Sequence, residues 1–306
     1  MIRAAQAMVK CLEMEGIKVV FGYPGAAICP FYDELYRSDI KHVLVRHEAN
    51  AGHAASGYAR ITNKPAVCIA TSGPGATNLL TAIATAYADS IPLICITGQV
   101  STDQIGCDVF QEVDITGACA PFVKHSYLVK DVTQIPRIMR EAFHIASTGR
   151  PGPVLIDLPK DIQTATGPSE YPDHVDIRGY KINEGVHLGQ LKKATKLLKV
   201  ARRPLILAGG GVNIAGANEL LEQIVNITHV PVVTTVMGKG AIPSDHPYYV
   251  GSSGMHGRYA ANIAVSKCDV LFSIGTRFND RITGDLNEFA PKAKIIHVDI
   301  DAAAIS

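Results

Sequence analysis

Short apolar segments alternate with amphipathic segments along most of the chain. The apolar segments are rich in β-branched residues and bounded by Gly or Pro, and the first of them read KVVFG, HVLVR, PAVCIA, PLICITG and PVLIDLP. Strands separated by helical segments are typical of βαβ units, in which a parallel sheet is buried on both faces. The pattern therefore predicts a doubly wound α/β domain over residues 1–160.

This periodicity is lost over residues 161–185, where Pro, Gly, Asp and Ser accumulate, which predicts an interdomain linker. It resumes with the amphipathic segment HLGQLKKATKLLKVA and the apolar segments PLILAGG, VPVVTT, DVLFSIG and KIIHVDID. Residues 186–306 are predicted to form a second doubly wound α/β domain. Because only a few residues follow KIIHVDID, we expect this domain to be incomplete at its C-terminus.

Charge and hydropathy favour a small-molecule function. The chain has 29 Lys and Arg against 28 Asp and Glu, without a run of like charge, which argues against nucleic acid or a membrane surface as a partner. Every apolar stretch is interrupted well before the roughly 20 residues that a membrane span needs. The first residues show neither a signal peptide nor a transit segment, so we expect a cytoplasmic protein.

Glu48 is the first candidate for chemistry. It follows the strand HVLVR and precedes a helix rich in small residues, and ligands of open α/β sheets bind where strands end. The alternative is a surface or helix-capping glutamate. A zinc site with His47 and His53 is disfavoured, because these histidines are six apart and point roughly 120° away from each other on a helix. No residue is predicted as a metal ligand.

Two glycine-rich turns, GYPGAAI at 22–28 and TSGPGATN at 71–78, lie on either side of Glu48 in the sequence. Singly, such turns indicate only a tight bend or a close approach of the backbone. Together they resemble the pyrimidine-binding domain of thiamin-diphosphate enzymes, specifically the acetohydroxyacid synthase (acetolactate synthase) family. The resemblance covers nearly the entire chain, through FGYPGAAICPFYDEL, RHEANAGHAASGYAR, ATSGPGATNLLTAIATAYADSIPLICITGQV, DVFQEVD, PFVKHSYLV and RPGPVLIDLPKDIQ.

The resemblance implies roles for individual residues of the first domain. Glu48 would hydrogen-bond a ring nitrogen of the cofactor's aminopyrimidine, and Gln111 would face the reacting centre. The cofactor itself would supply the electron sink. Phe110 would lie near the flavin, and Lys160 would lie at the mouth of the substrate channel, unless it is a solvated lysine at a domain edge. The pyrimidine pocket would be lined by Pro24, Pro74, Gly75 and Asn78.

The second domain carries Gly209, Gly210 and Gly211 between a strand and a helix. Bare backbone there suits a phosphate or ribose, although the motif is not GxGxxG and a tight turn is the alternative. Arginines near such turns can clamp phosphate or stack on a flavin. Asn279 replaces an Asp usual in the family, which puts one flavin contact in doubt. By resemblance, FAD would contact Arg150, Thr235, Val236, Met237, Gly254, Met255, His256, Gly275, Arg277, Asp280, Arg281, Asp299 and Ile300.

The implied reaction is decarboxylation of pyruvate and its ligation to pyruvate or 2-ketobutyrate, in branched-chain amino-acid biosynthesis. The family's Mg²⁺ ligands belong to a third domain with a GDG…N motif, which this chain lacks. We therefore expect a fragment that is inactive by itself. Expected partners are a second copy, forming a dimer or tetramer through the first domain, and a small regulatory subunit. The alternatives are a pyruvate oxidase, a sulfoacetaldehyde acetyltransferase or a non-catalytic nucleotide-binding module.

Overall fold

A computed structural model describes residues 1–182 and 185–305 of the chain. The chain divides into two compact units, Met1–Ile182 and Asn183–Ser306. The predicted boundaries at 160 and 185 stay a prediction, and residues 183, 184 and 306 lie outside the described part. Each unit is described by itself below.

The first unit alternates strands and helices as the apolar pattern predicts. Its strands are β1 (Ile2–Arg3), β2 (Val19–Gly22), β3 (Lys41–Leu44), β4 (Ala66–Ala70), β5 (Leu93–Gln99), β6 (His125–Leu128), β7 (Pro153–Pro159) and β8 (Thr166–Gly167). Its helices are α1 (Ala4–Met14), α2 (Cys29–Tyr36), α3 (Glu48–Thr62), α4 (Pro74–Thr77), α5 (Leu80–Ala88), α6 (Ile115–Cys119), α7 (Ile135–Ser147) and α8 (Lys160–Thr164).

Six of these strands form a parallel sheet in the order β3-β2-β4-β5-β7-β6. The chain winds from β2 outward to β3 and then returns to β4 on the other side of β2. Such a reversal of winding opens a crevice at the carboxyl ends of the two strands concerned. The sheet therefore provides a binding crevice beyond β2 and β4.

Both faces of this sheet are covered, which is why its strands are almost continuously apolar. On one face Val67, Ile94 and Ile156 pack with residues of α1, α2 and α7. On the other face Cys68 and Cys95 pack with residues of α3, α5 and α6. No helix among the described residues is long and apolar enough to cross a membrane.

The stretch predicted as a linker packs on the first unit as far as residue 182. It contains α8 and β8, and β8 pairs antiparallel with β1. Tyr171 and Tyr180 then pack against the first core, and the Tyr171 hydroxyl donates to Oε1 of Glu15. These two tyrosines lie among the Pro, Gly and Asp residues on which the linker prediction rested.

The second unit contains a parallel sheet in the order β11-β10-β9-β12-β13, so that its chain also winds outward from a central strand in both directions. Both units confirm the predicted doubly wound α/β class. The strands are β9 (Pro204–Ala208), β10 (Val232–Thr234), β11 (Tyr249–Ser252), β12 (Val270–Ile274) and β13 (Lys294–Val298). The helices are α9 (Leu188–Val200), α10 (Gly210–Ile214), α11 (Asn218–Thr228), α12 (Tyr259–Lys267) and α13 (Asp280–Thr283).

Candidate active site

The predicted pyrimidine-site residues follow neighbouring strands of the first sheet. Pro24 lies after β2, Glu48 after β3, Pro74 and Gly75 after β4, and Gln111 after β5. Because the strands are parallel, these residues meet at the carboxyl edge of the sheet, where the crevice beyond β2 and β4 opens.

Glu48 is buried at this edge, with 8% of its surface exposed. Its Oε2 accepts a 2.9 Å hydrogen bond from Nδ2 of Asn78. No described residue donates a hydrogen bond to its Oε1. A carboxyl with one oxygen held by a neutral amide and the other available to a ligand is suited to proton exchange with a ring nitrogen.

The local sequence places Glu48 as the first residue of α3. The side chain of His47 accepts from the backbone N–H of Ala49 and so caps the helix, which assigns this histidine a structural contact. Gly52 faces α5 so closely that an added β-carbon would lie 2.5 Å from Cβ of Ala82. Small residues on α3 thus allow the helix that begins at Glu48 to pack closely against α5.

The turn after β4 has no side chains where it faces Glu48. A β-carbon on Gly75 would lie 3.2 Å from Oε1 of Glu48 and 2.7 Å from Cγ2 of Thr71. Gly73 has φ 58° and ψ −124°, a conformation that residues with a β-carbon avoid. The glycines of TSGPG are therefore required by the backbone path and by the open face of the Glu48 carboxyl.

Gln111 also contacts this turn. A β-carbon on Gly73 would be 2.8 Å from Cβ of Gln111. Gln111 itself has a left-handed backbone, φ 59°, and its neighbour Phe110 is 86% exposed. Gln111 and Glu48 therefore both pack against the turn 73–75.

The turn after β2 contacts the turn after β4 through Thr71. The backbone N–H of Ala27 donates to Oγ1 of Thr71 at 3.3 Å, and a β-carbon on Gly25 would lie 2.5 Å from Cβ of Thr71. Pro24 is exposed beside this contact. Thr71 thus ties the two glycine-rich turns together across the crevice.

Lys160 and Arg150 lie at opposite ends of β7. Lys160 is exposed and begins α8 beyond the carboxyl end, on the same edge as Glu48. Arg150 precedes the amino end, where its Nε donates to Oγ of Ser90 at 2.8 Å and its guanidinium lies 5.9 Å from the ring of Tyr87. Arg150 is therefore not part of the cluster around Glu48, and its predicted flavin contact stays a prediction.

Asp157 is a buried acid that the sequence reading passed over. It is 1% exposed within β7, and its carboxyl accepts hydrogen bonds from Oγ1 of Thr97 at 2.7 Å and Nε2 of Gln99 at 2.9 Å. Burial raises the pKa of Asp157 to about 7, although the hydrogen bonds from Thr97 and Gln99 oppose the shift. A single acid inside the apolar strand PVLIDLP was the available signal.

Tyr32 is a second feature that the motifs did not indicate. Its hydroxyl is buried and has no hydrogen-bond partner among the described residues. A β-carbon on Gly22, at the end of β2, would lie 2.2 Å from this hydroxyl. Burial is the main cause that raises the pKa of Tyr32, and the nearby Cys68, Cys29 and Glu48 add to it.

The predicted flavin residues of the second unit follow its strands in the same way. The N–H of Gly211 donates to the carbonyl of Gly275 at 2.9 Å, and a β-carbon on Gly209 would lie 2.2 Å from that carbonyl oxygen. Gly210 lies against Met237, whose β-carbon would be 3.0 Å from one added at Gly210. The bare backbone between β9 and β12 is the switch point of this sheet.

Around this backbone lie the remaining candidates. The N–H of Met255 donates to the carbonyl of Arg281 at 2.9 Å, which joins the turns after β11 and β12. Asn279 caps α13, since its Oδ1 accepts from the N–H of Ile282 at 3.3 Å. Thr235 is buried and Asp299 is half-buried. The exposed members of the set are Val236, Met237, Met255, His256, Arg277, Asp280, Arg281 and Ile300.

No group of three or more His, Cys, Asp or Glu side chains in the described part of the chain is placed to hold a metal ion. The two buried acids of the first unit are hydrogen-bonded to neutral groups. Glu48 accepts from the amide of Asn78, and Asp157 accepts from the hydroxyl of Thr97 and the amide of Gln99.

Comparison with known proteins assigns both units. Residues 2–118 match the model for the thiamine pyrophosphate enzyme N-terminal TPP binding domain, and residues 191–306 match the model for the central domain of the same enzymes. The chain belongs to the thiamine pyrophosphate (thiamin diphosphate) enzymes.

Within that family, the chain is similar to acetolactate synthase large subunits. It is 55% identical over 307 residues to a probable acetolactate synthase large subunit of Methanocaldococcus jannaschii, covering 99% of this chain and 52% of the relative. It is 50% identical to the Escherichia coli isozyme 2 large subunit, covering 100% and 55%. For the Corynebacterium glutamicum large subunit the identity is 50%, with 98% and 48% covered. The chain thus spans about half the length of these relatives.

Proposed function

We propose that the complete protein containing this chain is an acetolactate synthase. It decarboxylates pyruvate with thiamin diphosphate and joins the two-carbon unit to pyruvate or 2-ketobutyrate, in branched-chain amino-acid biosynthesis. The observation that carries the proposal is the buried Glu48 carboxyl, held through Oε2 by Asn78 and open at Oε1 beside Gly75. The names of the relatives support the choice of reaction.

Glu48 is the group that handles the proton. Its Oε1 is the atom that would hold a proton toward a ring nitrogen of bound thiamin diphosphate, while the bond from Asn78 to Oε2 restrains rotation of the carboxyl. When bound, thiamin diphosphate supplies the nucleophilic carbon and the electron sink. The residues fit the pyrimidine because Gly75 leaves the face of the Glu48 carboxyl without a side chain.

The other candidate residues of the first unit orient and enclose the pyrimidine and the substrate. Pro24, Pro74 and Gly75 form the walls of the pyrimidine pocket, where their turns meet on Thr71. Gln111 presents its amide to the reacting centre, and the neighbouring Phe110 is exposed and available to a flavin. Lys160 attracts the 2-ketoacid carboxylate to the edge that carries Glu48.

FAD is the proposed ligand of the second unit. The backbone of Gly209 and Gly211 lies against that of Gly275 with no room for a β-carbon between them, so the turns after β9 and β12 meet as bare backbone at the switch point of the sheet. Arg277 and Arg281 supply the positive charge for the diphosphate. Arg150 is proposed as a further flavin contact from the first unit.

Magnesium is proposed as the partner of the thiamin diphosphate, with its ligands outside these 306 residues, since the chain spans about half the length of its relatives. We also propose a homo-oligomer that forms through the first unit, a cytoplasmic location, and a small regulatory subunit. The words "large subunit" in the relatives' names support this last partner.

The test is product formation by the complete protein with thiamin diphosphate, Mg²⁺ and FAD, first with pyruvate alone and then with 2-ketobutyrate added. The proposal expects acetolactate in the first case and acetohydroxybutyrate in the second. Acetyl phosphate formed from pyruvate, phosphate and oxygen would assign a pyruvate oxidase instead. Acetyl phosphate formed from sulfoacetaldehyde and phosphate, with release of sulfite, would assign an acetyltransferase. Cofactor binding without any of these products would leave a binding module.

A further inference from the structure

Residues 100–114 connect β5 to α6 and carry Phe110 and Gln111. Much of this segment is exposed, including Gln104, Gly106 and Asp108, so packing of its own side chains contributes little to its position. The hydrogen bonds that described side chains outside the segment make to it lie near its two ends, and they include those at Val100, Thr102 and Val113.

Asp157 acts on the downstream end through Gln99. The Nε2 of Gln99, which is 3% exposed, donates to Oδ2 of Asp157 at 2.9 Å and to the carbonyl of Val113 at 2.8 Å. Its Oε1 accepts from the N–H of Val100 at 2.9 Å. Both amide hydrogens and the amide oxygen are thus used, and Asp157 fixes the amide in the orientation that holds Val113.

Asp161 acts on the upstream end. Its Oδ1 accepts from the N–H of Thr102 at 3.0 Å, and its Oδ2 accepts from the hydroxyl of Thr102 at 2.5 Å. Asp157 lies in β7, and Asp161 is the second residue of α8, which follows directly. One continuous stretch of chain therefore holds the segment at both of its ends.

The held segment reaches the site through Gln111. Gln111 packs on Gly73, and Gly75 of the same turn lies beside Oε1 of Glu48. A shift of residues 100–114 therefore moves Gln111 relative to Glu48. Reacting groups tolerate little displacement, since a misplacement of about 1 Å costs about 10²-fold in rate.

We propose that Asp157 and Asp161 are positioning residues, which hold the two ends of residues 100–114 through Gln99 and Thr102 and so set the place of Gln111 opposite Glu48. The proposal rests on the proposed function in one respect, namely that Gln111 faces the reacting centre. Neither carboxyl touches the pyrimidine pocket, and each acts through another residue.

The variants that test it are Asp157→Ala and Asp161→Ala, each matched by the Asn substitution in the complete protein. An Asn at 157 accepts from Gln99 through its oxygen and donates to Oγ1 of Thr97 through its amide. An Asn at 161 likewise serves both groups of Thr102. We expect the Ala variants to lower kcat by about 10- to 10²-fold and the Asn variants by less than about threefold. The affinity for thiamin diphosphate should stay within about threefold in all four.

Hydrogen exchange of the complete protein without substrate or cofactor gives a readout that does not depend on activity. Amides of residues 103–113 should exchange faster in both Ala variants and at the wild-type rate in both Asn variants, while those of β2 and α3 stay unchanged. Unchanged exchange over 103–113, or faster exchange throughout the first unit, would overturn the proposal. Asn variants as slow in turnover as the Ala variants would also overturn it. If the wild type forms no acetolactate, the proposed function fails, and the exchange comparison still decides whether the segment is held.

Discussion

Asn78 donates a 2.9 Å hydrogen bond from Nδ2 to Oε2 of Glu48, across 30 positions of sequence. Glu48 begins the helix after β3, and Asn78 ends the short helix after β4, so the bond exists only because the strands are parallel and bring both helix ends to one edge. The neutral amide fixes the carboxyl without adding charge to it.

Asn78→Ala should therefore weaken catalysis while preserving the fold. A hydrogen bond of this kind is worth about 0.5–1.5 kcal/mol, or roughly 3- to 10-fold in rate if it orients the carboxyl in the transition state. Steady-state kinetics of the complete protein should show the loss in kcat. An unchanged kcat would mean that Asn78 does not orient Glu48.

Gly75→Ala should impair the pocket from the side of the turn. The new β-carbon meets Cγ2 of Thr71 at 2.7 Å and Oε1 of Glu48 at 3.2 Å, and crowding of this kind costs about 1–3 kcal/mol. We expect the Gly75→Ala variant to bind thiamin diphosphate more weakly, as measured by isothermal titration calorimetry of the complete protein. Gly57→Ala is the matched control, because a β-carbon there meets no atom within 4 Å and alanine favours α3 by about 1 kcal/mol. Equal thiamin diphosphate affinity in both variants would mean that Gly75 does not border the bound pyrimidine.

Asp157 should make stability fall as pH rises. Its pKa is raised by burial from 3.8 to about 7, so the folded state binds a proton that the unfolded state has released. The stabilisation is present in full below about pH 4 and is lost as pH rises towards about 7. Asp157→Asn removes this dependence, so the difference in the free energy of unfolding between variant and wild type should change between these pH values. Parallel pH profiles in denaturant titrations would contradict the buried, proton-binding carboxyl.

Gly209→Ala should abolish flavin binding. The added β-carbon would lie 2.2 Å from the carbonyl oxygen of Gly275, which is backbone and unable to rotate away. Gly216→Ala is the control, since φ is 61° there but nothing lies within 4 Å, and it costs about 1–2 kcal/mol of backbone strain alone. Titration with FAD, followed by fluorescence quenching, should saturate for the control and not for Gly209→Ala. Saturation of both with equal affinity would move the flavin away from this backbone.

The fold follows from the sequence where burial imposes a pattern. Strands such as PAVCIA and PLICITG are buried on both faces, and that burial is what their continuous apolar character records. The attachment of residues 161–182 has no such pattern, because β1 and β8 are two-residue strands and the anchors are single tyrosines.

The sequence likewise predicts which residues of the site lie together, but not the hydrogen bonds between their side chains. The grouping of Glu48, Gly75 and Gln111 follows from strand order, because each lies in the segment that follows a parallel strand. The bonds from Gln99 to Asp157 and Val113 do not follow from it, since they depend on which way side chains of neighbouring strands point. In the sequence, Asp157 reads as an interruption of an apolar run rather than as part of a site.

The central claim is that the Glu48 carboxyl handles the proton on which turnover depends. Glu48→Gln keeps the size of the side chain and a carbonyl oxygen for Asn78, but an amide cannot exchange the proton at Oε1. The direct measurement is acetolactate formation by the complete Glu48→Gln protein at saturating thiamin diphosphate, alongside its thermal unfolding. The account predicts a loss of kcat of about 10²- to 10⁴-fold with unfolding unchanged. Activity within about twofold of wild type would remove Glu48 from the mechanism.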